Sequence, residues 1–88
     1  MLFPKTVFVE NTTIDDQMLK IATELMEATV ALDDPAVNYE SVAIELWDVI
    51  QAVETALRIL EKQYGVNVNI VRQYVYEKNR SRKYYKEG

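Results

Sequence analysis

Helix breakers are scarce in this chain, and their placement limits its fold more than any other feature. The 88 residues contain two prolines and two glycines. Pro4 and Gly88 lie near the ends, which leaves Pro35 and Gly65 as the interior stops. Proline ends a helix because it lacks an N–H and its ring clashes with the preceding turn. Glycine ends one by adopting the left-handed conformation that closes a last turn. Three long segments result, and each carries a helical pattern. In the first, Ile14, Met18, Ile21, Leu25 and Leu32 recur as one stripe. Thr12 or Thr13 can cap its start, and Asp15 and Asp16 suit the positive first turn. This helix is expected to end near Leu32, before "DDP".

Asn38 or Ser41 can cap the second segment, which should run to about Tyr64. Its apolar positions include Val42, Leu46, Val49, Val53, Leu57 and Leu60. After a turn at "GVNVN", a third helix is expected over roughly 67–82, with Ile70, Val71, Tyr74 and Val75 as its buried side. Connections this short make neighbouring helices antiparallel. Upstream, "KTVFVE" alternates weakly and Pro4 forbids a helix interior, so residues 1–11 read as an extended arm, with 83–88 as a tail. The expectation is one all-α domain over 1–88, an antiparallel hairpin plus a third helix. At 49% hydrophobic residues, so small a unit is expected to bury part of its surface in an oligomeric helical bundle.

Composition removes several chemistries. There is no Cys and no His. Disulfides, thiolate or histidine zinc sites, and His-activated nucleophiles are therefore excluded. The formal net charge of -4 argues against a general nucleic-acid binder. The one strongly basic stretch is "KNRSRKYYK", 78–86; with no aromatic-rich sheet, glycine loop or zinc motif beside it, nucleic acid is not the expected partner. No uncharged apolar run approaches ~20 residues, so no membrane partner is expected. The stretch "MLFPKTVFVE" lacks a signal-peptide pattern, and a cytoplasmic location is expected.

"IELWDVIQAV", 44–53, places two acids inside an apolar helix. At about 100° per residue, Glu45 and Asp48 share a sector with Ala52, Ala56 and Ile59. Glu24 and Glu27 repeat the spacing at the border of the first helix's stripe. One such pair ordinarily marks a solvated face. Two pairs on successive antiparallel helices can meet, and four acids near an apolar interface repel one another unless bases or a divalent cation compensate. Lys20 and Arg58 are the main bases on these two helices. Mg²⁺ matches better, as a hard ion that takes carboxylate oxygens together with substrate phosphates. No Walker-type loop is present, so phosphate binding would go through metal.

The ordered set "ELME" (Glu24, Glu27), seventeen residues, then "ELWD" (Glu45, Asp48), followed by the basic tail, resembles the MazG-like nucleoside triphosphate pyrophosphohydrolases of the all-α NTP pyrophosphatase superfamily. The resemblance covers about 14–86, and the tail is similar to that of short phage and prophage members. It implies that Glu24, Glu27, Glu45 and Asp48 hold Mg²⁺, with Mn²⁺ as a substitute. It also implies that Lys78 and Arg82, with Asn79 and Arg80 as weaker candidates, contact the nucleotide's phosphates. The implied reaction is hydrolysis of a nucleoside triphosphate to the monophosphate and pyrophosphate, carried out by a dimer or tetramer. Two positions depart from the family pattern. Thr23 stands where a further Glu often precedes the first pair, and Lys83 stands where short members often have glycine. If that Glu orients water or a further ion, activity here is reduced or differently arranged.

Trp47 points to a different side of its helix from the acids and reads as core or interface rather than a base platform. Tyr74 reads as packing, while Tyr84 and Tyr85 read as docking the tail on a partner subunit. The competing expectation is a non-catalytic helical oligomerisation or adaptor protein with the same fold.

Overall fold

The computed structural model describes residues 1–86; Glu87 and Gly88, the end of the expected tail, lie outside the described residues. Its helices are α1 (Ile14–Asp33), α2 (Tyr39–Tyr64) and α3 (Val68–Ser81), preceded by a short 3-10 turn at Val7–Val9. The described residues contain no strand. None of the helices is long and apolar enough to cross a membrane. Each α-helix begins at a polar side chain that satisfies an otherwise orphaned N–H. Thr13 accepts from Asp16 at 3.1 Å, Asn38 from Glu40 at 3.0 Å, and Asn67 from Ile70 at 3.1 Å. α2 ends at Gly65, whose φ of 68° turns the chain so that Gly65 and Val66 bond back to the carbonyls of Glu61 and Leu60.

α1 and α2 pack as an antiparallel hairpin, and its seam is made of small residues. Ala28, Ala52, Ala56 and Ile59 are buried there, with Gln17 among them. Small side chains let helix axes approach closely. The seam uses the sector of α2 on which Glu45 and Asp48 lie, as the helical wheel indicates.

One expectation needs correcting, and one stripe faces away from its hairpin partner. The stripe of α1 is not the hairpin core: Met18, Leu25 and Leu32 are exposed, while Ile14 and Ile21 are half-buried. The expected buried side of α3 is exposed, with Ile70 and Tyr74 each at 66% and Val71 and Val75 also open. The reason is the same in both cases. α3 does not pack on α1 and touches α2 only marginally, so among the described residues no element covers these faces.

Residues 1–11 are also not simply extended. Val7–Val9 form a 3-10 turn that packs on α2, with Val9 buried. The arm is tied down along α2. The buried Glu54 carboxylate accepts the N–H groups of Leu2 (2.6 Å) and Phe3 (2.8 Å), and Arg58 donates to the Phe3 carbonyl at 2.8 Å. Glu10 pairs with Lys5 at 2.9 Å and with Lys62. Thr6 and Thr55 share a hydrogen bond of 3.0 Å, and Phe3 meets Trp47 edge-on at 5.9 Å.

Candidate metal centre

Antiparallel packing decides which acids meet. As α1 advances, its neighbours on α2 run backwards, so Gln17 reaches Ala52 while Glu24 and Glu27 come level with Asp48 and Glu45. Glu24, Glu27 and Glu45 each offer one carboxylate oxygen, and these oxygens all lie within 4.8 Å of one another. Glu24 and Glu45 are half-buried and Glu27 is exposed. Asp48 is not part of this trio. It stands beside Glu24, and the two line the same adjacent cavity.

The electrostatics are those of a site short of positive charge. Among the described residues, no Lys or Arg forms an ion pair with any of the four acids. The Glu24 carboxyl is pushed above its ordinary value, first by partial burial and then by the charges of Glu27 and Asp48; Lys20 opposes the shift. One oxygen of Glu45, Oε2, is buried without a hydrogen-bond partner. A buried carboxylate oxygen left unpartnered is costly. The donor set therefore fits a hard divalent cation. Ligands at about 2.1 Å from Mg²⁺ stand about 3–4 Å apart, so small rotations of these side chains would suffice.

The remaining expected residues lie elsewhere. Lys78 and Asn79 are half-buried on α3, and Arg82 is exposed just past its end, as the C-cap rather than a helical residue. Because α3 does not pack on α1, one chain does not bring these groups to the carboxylates. Lys83 takes the left-handed conformation, with φ 60°. That is the backbone geometry glycine favours. Thr23 spends its hydroxyl on its own helix, donating to the Leu19 carbonyl at 3.1 Å.

Sequence reasoning passed over the cavity beside the acids. It has a volume of about 240 Å³. Phe8 of the arm, Gln17, Lys20 and Glu24 of α1, and Asp48 and Gln51 of α2 line it. The Lys20 ammonium lies 4.1 Å from the centre of the Phe8 ring, which places a cation one helical turn from Glu24. The available signal was the interruption of apolar seams by amides at Gln17 and Gln51. It does not reveal that the arm folds over them. No protein-family model, curated protein or solved structure matches this chain.

Proposed function

We propose that the chain is a Mg²⁺-dependent nucleoside triphosphate pyrophosphohydrolase, a cytoplasmic homo-oligomer with a MazG-like, all-α NTP pyrophosphatase fold. The observation that carries this reading is the convergence of Glu24, Glu27 and Glu45 from two helices, with no Lys or Arg among the described residues in an ion pair with them. Glu24, Glu27 and Glu45 would hold the ion, with Asp48 alongside. The ion, when bound, supplies Lewis acidity at phosphate and lowers the pKa of a coordinated water. A carboxylate of the set accepts the proton of the attacking water as the bond to the leaving pyrophosphate breaks. Lys20, already beside Glu24, offsets charge on the bound triphosphate. Lys78, Asn79 and Arg82 would reach the phosphates from α3 of a second copy, Arg82 by forked hydrogen bonds and Lys78 as a point charge.

One observation favours a second reading. The exposed apolar faces of α1 and α3 call for assembly whether or not turnover occurs. A helical adaptor with the same fold would use those faces alone.

The test is pyrophosphate release from ribo- and deoxyribonucleoside triphosphates, with Mg²⁺ and with chelator, for the parent protein and Glu45→Gln. Metal-dependent release that falls at least about a hundredfold in the variant supports the hydrolase. No release from any triphosphate by folded, metal-replete protein gives the adaptor reading the lead.

A further inference from the structure

The cavity beside the acids contains one group that the hydrolytic reading does not use. Gln17 is 1% exposed, the most buried polar side chain of the hairpin. Its Nε2 donates to the Ala52 carbonyl at 2.9 Å. A carbonyl only accepts, so this bond fixes the amide's orientation and leaves Oε1 as the free end. Gln17 Oε1 is buried and has no partner. A buried acceptor on a cavity wall asks for a donor from whatever fills the cavity.

The rest of the wall narrows the donor. Gln17 and Glu24 are seven residues apart on α1, about 10 Å of helix rise, so the cavity runs from an amide end to a carboxylate end. Phe8 supplies an aromatic surface, and Gln51 supplies a second amide between the two ends. The Thr6–Thr55 hydrogen bond holds the arm closed over the amide end. An aromatic face beside amide groups is the recognition chemistry of a heteroaromatic base, which stacks and presents N–H donors at its edge.

We propose that this cavity seats the nucleoside end of a nucleotide. Gln17 Oε1 accepts an N–H of the base, Phe8 packs against the ring, and the phosphates point toward Glu24 and Asp48. The direction of the ligand rests on the hydrolytic reading; occupancy of the amide end by a base does not. The arm is then a wall of the site, and Phe8 and Gln17 determine specificity.

The experiment is a titration of ¹⁵N-labelled full-length protein, in chelator and without metal, with AMP, GMP, CMP and UMP, and separately with inorganic pyrophosphate. The Gln17 side-chain amide resonance is followed, and Kd is measured for the parent, Phe8→Ala and Gln17→Met. Phe8→Ala guards against a misfolded Gln17 variant, because Phe8 is 44% exposed and lies outside the buried seam. The expected result is that at least one monophosphate moves the Gln17 amide, pyrophosphate does not, and each variant weakens binding about fivefold or more. Monophosphates that perturb only what pyrophosphate perturbs would overturn the proposal, as would failure of all four to bind at millimolar concentration. Pyrophosphate release assayed on the same variants separates the two readings. Turnover with KM unchanged in Phe8→Ala and Gln17→Met removes the base site and keeps the hydrolase. Base-dependent binding at Gln17 without turnover keeps the base site and removes the hydrolase.

Discussion

Gly65 and Lys83 adopt the same left-handed backbone conformation, at φ 68° and 60°, and differ in what it costs. For glycine the conformation is free of Cβ strain; for lysine it is not. An added Cβ at Gly65 would meet nothing within 4 Å, so a substitution there tests backbone strain alone. Gly65→Ala is expected to lower stability by about 1 kcal/mol in chemical denaturation, through the α2 terminus. Glu54 makes a second residue-scale prediction. Burial alone would raise its pKa, but the N–H bonds from Leu2 and Phe3, with the charges of the amino terminus and Arg58, outweigh burial and hold it below the ordinary 4.5. Glu10 is lowered to about 2 by its bonds to Lys62 and Lys5. A carboxylate whose folded pKa is depressed stabilises the fold fully above its unfolded value, and that contribution is lost as pH falls through the folded value. The arm should therefore release as pH falls on the acid side of 4.5, through the lowered Glu54 and Glu10 values. Trp47 emission reports this release, since Phe3 rests on that ring at 5.9 Å. In Glu54→Gln the acid transition in Trp47 emission should be reduced or absent.

At the scale of elements, α3 raises the question of what supports it. A helix of 14 residues is marginal in water by itself, and this one has little tertiary packing. The periodicity of Ile70, Val71, Tyr74 and Val75 correctly marks a helix with an apolar side, but periodicity does not say which surface covers that side. The same ambiguity holds for α1. Met18, Leu25 and Leu32 form the more conspicuous stripe, yet Gln17 and Ala28 take the seam because the small residues Ala52 and Ala56 face them. Caps and stops were legible, as Thr13, Asn38 and Gly65 show, because each acts through its own turn. The convergence of Glu24, Glu27 and Glu45 was legible because antiparallel packing follows from a short loop. The arm's 3-10 turn and the Gln17 cavity depend on long-range contacts, and no local pattern encodes them. If α3 is held by association, Ile70→Asp should lower both the helix signal and the sedimentation-derived mass. A variant that remains as large and as helical as the parent would show that α3 stands without a partner.

The whole molecule exposes more surface than its size requires. A folded chain of 10.2 kDa is expected to expose about 5,300 Å², and this one exposes 6952 Å². Its radius of gyration is 15.5 Å, against about 12 Å for a compact domain of this length. The excess, roughly 1,600 Å² per chain, is of the size that obligate subunits bury. Charge has a matching layout. Eleven of the fourteen acids fall in the hairpin, 14–64, whereas Lys78, Arg80, Arg82, Lys83 and Lys86 cluster at the far end of α3. Stacking α3 of one copy on the hairpin of another would cover apolar surface and bring cations to the carboxylates in the same step. Catalysis should then require two copies, and mixing distinguishes this from a site complete in one chain. Glu45→Gln retains its cations and lacks an acid; Lys78→Ala combined with Arg82→Ala retains the acids and lacks the cations. Each is expected to be inactive alone. After unfolding and refolding together in equal amounts, random pairing into symmetric dimers places intact acids opposite intact cations in about one site of four. About a quarter of the parent's pyrophosphate release should return. A site built from a single chain predicts no recovery at any mixing ratio.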